Sequence, residues 1–429
     1  MAGRPLRVCF VAYRGNMRCG GQGVYLWHLA RQLCALGHRV DVLVGPPYPD
    51  PMPFAHRVEE LPNQQFWAKW FARDRRALLP HPSPLRVFEP LNFYELCASY
   101  LGFLPEPFAF SLRAFGALAH HVRRGDRYDL VHDVQCLGYG ILGIRALGVP
   151  VVTTVHHPLS VDRRASFVRD RSFRDAIGTM TFYPIGMQSW VARRVDRVFT
   201  SSAASARQIA DDFGVPGDRI AMVANGVATD VYRPDPSVER SDAEILCVGR
   251  ASDPNKGIGT LIEALALLPK RARLTLVDDD HPDNPARKRA AELGCADRLH
   301  IAGRVPTDAL VHLYRRATLV AVPSRYEGFG LPAAEAMACG TPVVATAAGA
   351  LPEVVGVGGG GVLVPPDCPE ALAKGIATLL EQPEARAELG ARGRDRVVAA
   401  YAWPRVAEAT AAVYADVVTE FRRARPSRG

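Results

Sequence analysis

The chain has 429 residues, 48% hydrophobic and 22% charged, with a formal net charge of +8. That length suits two or three domains with sizeable cores, and the mostly Arg-derived charge comes with no nucleic-acid module signature, so no nucleic-acid partner is expected. Nine cysteines stand singly, without a Cys-x-x-Cys pair or metal-like His/Cys spacing, which excludes a disulfide scaffold and predicts reduced thiols.

The first element, Leu6–Val11, reads as a buried strand, and the N-terminal run is too brief for a signal peptide. No stretch reaches the roughly 20 apolar residues needed to span a bilayer, so a cytoplasmic protein is expected. Gly20–Gly21 follow as a glycine turn. A helix then shows Leu26, Leu29, Ala30, Leu33 and Leu36 on one side, stops at Gly37, and gives way to a strand at Val40–Val44. This is a strand–turn–helix–strand unit of Rossmann type.

Residues 46–120 break the alternation with Pro, aromatics and interspersed Arg. Trp67, Trp70 and Phe71 beside Lys69, Arg73, Arg75 and Arg76 fit two readings. One is a helical insertion with its rings packed inward, which is preferred; the other is a patch lying on anionic lipid at the inner membrane face. Further strands read at Leu130–His132, Val151–Val155, Arg197–Ser201 and Ile220–Val223. The basic stretch Arg163–Arg174 is either a loop beside a cleft or a solvated charge run.

The polar, Pro-containing run 232–242 reads as a linker. A second alternating unit opens with Glu244–Val248 and continues with strands at Leu274–Val277, Leu299–Ala302, Leu319–Pro323 and Pro342–Ala345. Pro404–Arg423 is a long helical pattern. The fold class is therefore α/β, with helix-covered parallel sheets. Two tempting features are discounted. Asp278–Asp279–Asp280 resembles a metal site without supporting ligands, and the glycines of 356–361 resemble a phosphate loop without the following Lys-Ser/Thr.

The segment from Ser324 to Gly349 carries the most chemistry. Glu327 and Glu335 stand seven residues apart, separated by the turn Gly328, Phe329, Gly330 and by Pro332, which should open a short Ala-rich helix. The amides of that helix start make an anion site. Glu335 is expected in the first turn, able to accept paired hydroxyls such as those of a ribose, while Glu327 on the loop is free to meet a second polyol. A phosphate flanked by two hydroxyl-binding carboxylates suits a nucleotide-sugar.

This segment resembles the E-x7-E signature of retaining glycosyltransferases of family four, a group with the GT-B fold. Other landmarks appear in order: Gly20–Gly21, His156 after a strand, Asn225–Gly226–Val227, and Gly249–Arg250 with Lys256–Gly257. The resemblance implies two Rossmann-like doubly wound domains facing across a cleft, an acceptor-binding one over 1–232 and a nucleotide-sugar-binding one over 243–404, with a terminal helix (405–429) crossing back to the first. By this similarity Arg250 and Lys256 grip the donor diphosphate in place of a divalent metal, and fixed cations there stabilise the leaving group. Gly20 and Gly21 let the backbone approach the phosphate. His156, rather than adjacent His157, meets the donor sugar near its reacting carbon. Glu327 bonds sugar hydroxyls, the amides near Phe329, Gly330 and Leu331 hold sugar and phosphate, Glu335 binds the ribose, and Val305 offers backbone contacts to the base. Asn225 shapes an edge rather than performing chemistry. The run Asp278–Asp279–Asp280 departs from the glycine-rich turn that relatives usually carry at its place.

What the resemblance implies is a metal-independent transferase in cell-envelope glycan biosynthesis. It would move a hexose-type sugar from a UDP- or GDP-sugar to a glycan, a lipid-linked intermediate or a small molecule. No carboxylate stands out as a nucleophile of the kind that most retaining hydrolases use. Retention is instead ascribed to same-face attack, with the leaving phosphate taking the acceptor's proton. Two other readings are a nucleotide-sugar epimerase of the same fold and a non-catalytic nucleotide- or glycan-binding subunit. The intact E-x7-E pattern argues against the first; the presence of Arg250, Lys256 and Glu335 argues against the second.

Overall fold

The computed structural model describes residues 4–17, 21–71, 80, 83–156, 158, 160–161, 163–164, 184–356 and 358–424. The chain groups into two compact units. The first comprises Met1–Ser201, Ser205–Val223 and Ala407–Gly429; the second comprises Ser202–Ala204 and Ala224–Val406.

Seven strands build the first unit: β1 (Arg7–Ala12), β2 (Arg39–Val44), β3 (Arg57–Glu60), β4 (Leu130–Val134), β5 (Val151–Thr154), β6 (Arg197–Thr200) and β7 (Ile220–Met222). Their order is β3-β2-β1-β4-β5-β6-β7, and every pairing is parallel. The central strands are Val-rich and buried on both faces, as a sheet covered on each side by helices requires. The order reverses between β1 and β4, where a doubly wound sheet opens a crevice at its strand ends. β3, RVEE, half-exposed at the sheet edge, carries too little apolar signal to read from sequence.

Within 46–120 the helix Pro90–Tyr100 is inverted. Apart from Ala98, its buried residues are polar (Asn92, Glu95 and Ser99), and Arg113, on the neighbouring helix Glu106–Arg123, donates to both Glu95 carboxylate oxygens at 2.8 Å and to Asn92 Oδ1 at 3.0 Å. Its outward residues Phe93, Tyr94 and Tyr100, followed by Leu101, are exposed. Phe66 is buried. The side chains of Trp67, Trp70 and Phe71, and the stretch 165–174, lie outside the described residues.

The second unit has six strands: β8 (Glu244–Val248), β9 (Arg273–Val277), β10 (Leu299–Ile301), β11 (Leu319–Val322), β12 (Val343–Thr346) and β13 (Gly361–Val364). They run parallel in the order β10-β9-β8-β11-β12-β13, so the switch point lies between β8 and β11. The glycines read as a loop lead into β13 and serve packing: a Cβ on Gly360 would lie 2.6 Å from Gly393 Cα, and one on Gly361 2.1 Å from the Val343 carbonyl oxygen. Residues 232–242, where a linker is expected, belong to this unit, and Arg240 donates to the Gly340 carbonyl at 2.8 Å and to Thr341 Oγ1 at 3.1 Å. Gly226 fits flat against Trp403, since a Cβ there would sit 2.1 Å from the indole, and Val227 N–H donates to the Tyr401 carbonyl at 2.7 Å. The last helix is Trp403–Ala424.

Candidate functional site

In the second unit the candidate residues sit on loops after the carboxyl ends of parallel strands, or, for Leu331 and Glu335, on the helix that follows such a loop, where doubly wound sheets present ligand sites. The loop after β8 carries Gly249, exposed Arg250 and Lys256. Asp253 caps its short helical turn by accepting from Asn255 N–H at 3.0 Å. Gly257 ends the turn at φ +62°, and a Cβ there would lie 2.0 Å from the Pro323 carbonyl oxygen. Only glycine permits both the left-handed conformation and that approach. The Arg325 amide then donates to the Asn255 carbonyl at 2.8 Å. The β8 and β11 loops are thereby locked side by side at the switch point.

That locking brings Lys256 to Glu327. Lys256 Nζ donates to Glu327 Oε1 at 2.8 Å, and Ser324 Oγ donates to the same oxygen at 2.8 Å. Glu327 is largely buried, its side chain 11% exposed against 28% for Lys256. A buried carboxylate without such partners would cost several kcal/mol, so the pair and the serine make its burial tolerable. The loop after β12 presses on the same residue: Ala350 N–H donates to the Glu327 carbonyl at 2.9 Å, and Gly349 stands at φ +55°.

Phe329 is buried with its ring edge-on to Tyr401. Gly330, at φ +95°, is the N-cap of the helix Leu331–Ala338. The structure corrects two details of the sequence reading here. Leu331, not Pro332, is the first helical residue, and Glu335 lies beyond the first turn. Glu335 draws no first-turn stabilisation from the helix start; its carboxyl is held by tyrosines. Tyr314 OH donates to Glu335 Oε2 at 2.9 Å, and Tyr232 bonds the same carboxyl. The residue keeps some exposed surface, yet desolvation of the carboxyl outweighs both hydrogen bonds and pushes its pKa up to about 7. Val305 sits half-buried on the loop after β10.

The three aspartates after β9 go to separate partners. Asp278 accepts from Ala251 N–H at 2.9 Å, from Asn284 Nδ2 at 2.8 Å and from Asp279 N–H at 2.8 Å. Asp279 pairs with Arg304 and Asp280 with Arg287. Among the described residues no group of three or more His, Cys, Asp or Glu is placed to hold a metal. Asp278, buried, braces the loop bearing Arg250, where relatives were expected to use glycine.

In the first unit Gly20 lies outside the described residues. Gly21 opens the helix Gly21–Ala35, and a Cβ on it would meet nothing within 4 Å. Among the described residues of this turn the tight glycines are Gly15 and Gly23: a Cβ on Gly23 would sit 2.2 Å from the Asn16 carbonyl oxygen and 2.5 Å from that of Gly15. His156 follows β5. Its N–H donates to Gln135 Oε1 at 3.0 Å, and its ring meets Tyr25 edge-on at 4.8 Å, one turn along the helix from Gly21. Gln135 and Leu137 both have positive φ. Asp133 organises that turn by accepting from Cys136 N–H, Leu137 N–H and Thr153 Oγ1. Burial pushes its carboxyl up to about 6.

The sequence reading missed Ser324, Tyr232, Tyr314, Gln135 and the bracing role of Asp278. Ser324 opens the quoted motif and was legible as a hydroxyl three residues before Glu327. The others are brought in by tertiary packing and carry no local signal.

Residues 19–231 match the family model described as Glycosyltransferase Family 4, and residues 229–396 match that of Glycosyl transferases group 1. The chain is 38% identical to an MMP alpha-(1->4)-mannosyltransferase of Mycolicibacterium hassiacum, covering 96% of this chain and 98% of the relative. It is 33% identical to a D-inositol 3-phosphate glycosyltransferase of Acidothermus cellulolyticus, covering 99% and 93%. Among solved structures, sucrose-phosphate synthase of Thermosynechococcus elongatus superposes with a TM-score of 0.70 at 24% identity, over 97% of this chain and 100% of that one. HepE of Anabaena, solved with UDP and glucose, gives 0.67 at 21% identity, over 96% and 100%. These two likenesses carry the fold, an α/β two-domain architecture of GT-B type. The full-length match to the curated relatives carries the family: the chain belongs to the family 4 glycosyltransferases and is a glycosyltransferase.

Proposed function

We propose that this enzyme moves a hexose, mannose in the first instance, from a GDP- or UDP-sugar to a glycan acceptor with retention and without a divalent metal. The observation that carries the reading is the Lys256–Glu327 pair, held at the β8/β11 switch point beside the start of the helix Leu331–Ala338. A cation, a helix N-terminus and a carboxylate are what a diphosphate joined to a polyol requires. In this account Lys256 shifts from Glu327 to the diphosphate when donor binds, with Arg250 as the second cation, and Glu327 is released to accept sugar hydroxyls. Glu335 takes the ribose. The family resemblance assigns Gly21 to the phosphate and His156 to the reacting carbon. The leaving phosphate accepts the proton of the incoming hydroxyl on the same face.

Mannose is favoured because the 38% identical relative is named a mannosyltransferase making an alpha-(1->4) bond. The 33% identical relative, named for D-inositol 3-phosphate, supports a second acceptor class, a phosphorylated polyol. Peripheral contact with anionic lipid belongs to the same proposal. The exposed Phe93, Tyr94, Tyr100 and Leu101 support it, and among the described residues no helix is long and apolar enough to cross a membrane.

Incubation with GDP-mannose or UDP-glucose, with α-(1→4)-linked mannosides or inositol 3-phosphate, tests the reading by NMR of the product. An α-linked product that still forms in excess EDTA supports it. An inverted anomer, or activity that EDTA abolishes and a divalent cation restores, refutes it.

A further inference from the structure

The core of the first unit holds a polar chain that the donor chemistry above does not use. His132, central in β4, is fully buried, with its ring stacked between Phe10 of β1 at 5.0 Å and Phe199 of β6 at 5.4 Å. Both ring nitrogens are bonded: Nδ1 to the Tyr414 hydroxyl of the C-terminal helix, and Nε2 to Thr154 Oγ1 at 2.6 Å. Thr154 Oγ1 is in turn 3.1 Å from the Tyr25 hydroxyl. The Tyr25 ring stands edge-on to His156, with centroids 4.8 Å apart and planes at 83°. Four bonded groups, Tyr414, His132, Thr154 and Tyr25, therefore run through an apolar core and end on the ring of His156.

Polar groups taken out of water gain little net stability even when fully bonded, and an apolar core of the same shape would serve the fold as well. What such a chain does supply is fixed geometry. His132 and Thr154 define where the Tyr25 hydroxyl must sit, and Tyr25 can then present only one ring edge to His156. Burial, with the charge of His156 second, pulls the His132 pKa down to about 3, so its imidazole is neutral near pH 7. A neutral ring offers one donor and one acceptor, as a bonded chain through both nitrogens requires, and places no charge beside His156.

We propose that Tyr25 is a positioning residue for His156, and that the buried Thr154–His132–Tyr414 chain fixes its orientation. This rests on reading His156 as a contact to the donor sugar near its reacting carbon. A misplacement of about 1 Å at such a contact can cost roughly a hundredfold in rate.

Thr154→Val tests it, because valine keeps the volume and the β-branching that suits a strand while removing both hydroxyl bonds at once. Thr154→Ser restores the hydroxyl, and Tyr25→Phe removes only the last bond, so a folding failure of one variant leaves the others informative. With whichever donor and acceptor turn over, Thr154→Val and Tyr25→Phe should each lower kcat roughly ten- to a hundredfold with little change in donor KM, and Thr154→Ser should recover most of it. In isotope-labelled histidine spectra, the His156 ring resonance, assigned through His156→Ala, should shift in Thr154→Val and return in Thr154→Ser. Wild-type kcat and an unmoved His156 resonance in Thr154→Val and Tyr25→Phe would overturn the positioning role. So would a loss that serine does not rescue. If His156→Ala keeps wild-type turnover, the reading of His156 itself fails; the resonance test needs no substrate and separates that failure from this one.

Discussion

Lys256→Met isolates the cation at the centre of the proposed donor site. Methionine keeps most of the side-chain length, removes the charge, and leaves Glu327 with Ser324 as its remaining bonded partner among those described. Breaking an exposed ion pair costs about 0–1 kcal/mol, and leaving one partner of a buried pair uncompensated costs about 3–5 kcal/mol. With exposures of 28% for Lys256 and 11% for Glu327, the pair falls between, at about 2 kcal/mol, or roughly 4–8 °C in Tm for a domain of this size. The catalytic loss should be larger. A preorganised group aimed at developing charge is worth about 10²–10³ in rate, or roughly 3–4 kcal/mol. Calorimetry and nucleoside diphosphate release on the same preparation give both numbers. Lys256→Met with wild-type kcat/KM, or with a loss no greater than the stability change explains, would refute the assignment.

Other consequences are as direct. Glu335 has a folded pKa of about 7, above the ordinary 4.5. Its contribution to stability is therefore full below about pH 4.5 and lost as pH rises through 7. Glu335→Gln should accordingly gain in Tm relative to wild type between pH 5 and pH 8. Nucleotide affinity measured by calorimetry should strengthen through pH 7 in the wild type, as the carboxylate ionises, and stay flat in the variant. Asp278→Ala leaves the Ala251 amide, the Asn284 side chain and the Asp279 amide without their shared acceptor. It should cost about 2–3 kcal/mol in chemical denaturation and raise donor KM through the Arg250 loop; an unchanged denaturation midpoint contradicts the brace. Phe93→Ser with Tyr100→Ser should abolish cosedimentation with anionic liposomes at low salt while leaving kcat intact, and absence of cosedimentation in the wild type removes the lipid contact.

Strands that are buried on both faces wrote themselves plainly into the sequence. Glu244–Val248 was read at its observed limits, and β1, β2, β5 and β11 within a residue at each end. The failures share a cause: the signal lay in tertiary contact rather than local pattern. β3 at the edge reads RVEE, and its one apolar residue, Val58, is exposed. β13 begins inside a glycine run whose glycines answer to Val343 and Gly393 rather than to a phosphate. The inverted helix Pro90–Tyr100 defeats any rule that turns apolar residues inward, because Arg113 supplies a polar core for Asn92 and Glu95. At the candidate site, the motif spacing located Glu327, Glu335, Arg250 and Lys256. It placed Glu335 one position too early in its helix, and the tyrosines holding its carboxyl, Tyr232 and Tyr314, come from outside that helix, elsewhere in the second unit.

The central claim is that the second unit's switch-point residues bind and activate a nucleotide-sugar. Mass-spectrometric detection of nucleoside diphosphate released from GDP-mannose, UDP-glucose and other UDP- and GDP-sugars tests it most directly, with α-(1→4)-linked mannosides present and Glu335→Ala in parallel. The account predicts release from one donor, GDP-mannose first, and at least a hundredfold less from Glu335→Ala, since losing the ribose contact lets the donor shift by about 1 Å, a displacement worth roughly that factor in rate. Equal release by wild type and Glu335→Ala, or none from any nucleotide-sugar with acceptor present, would contradict it.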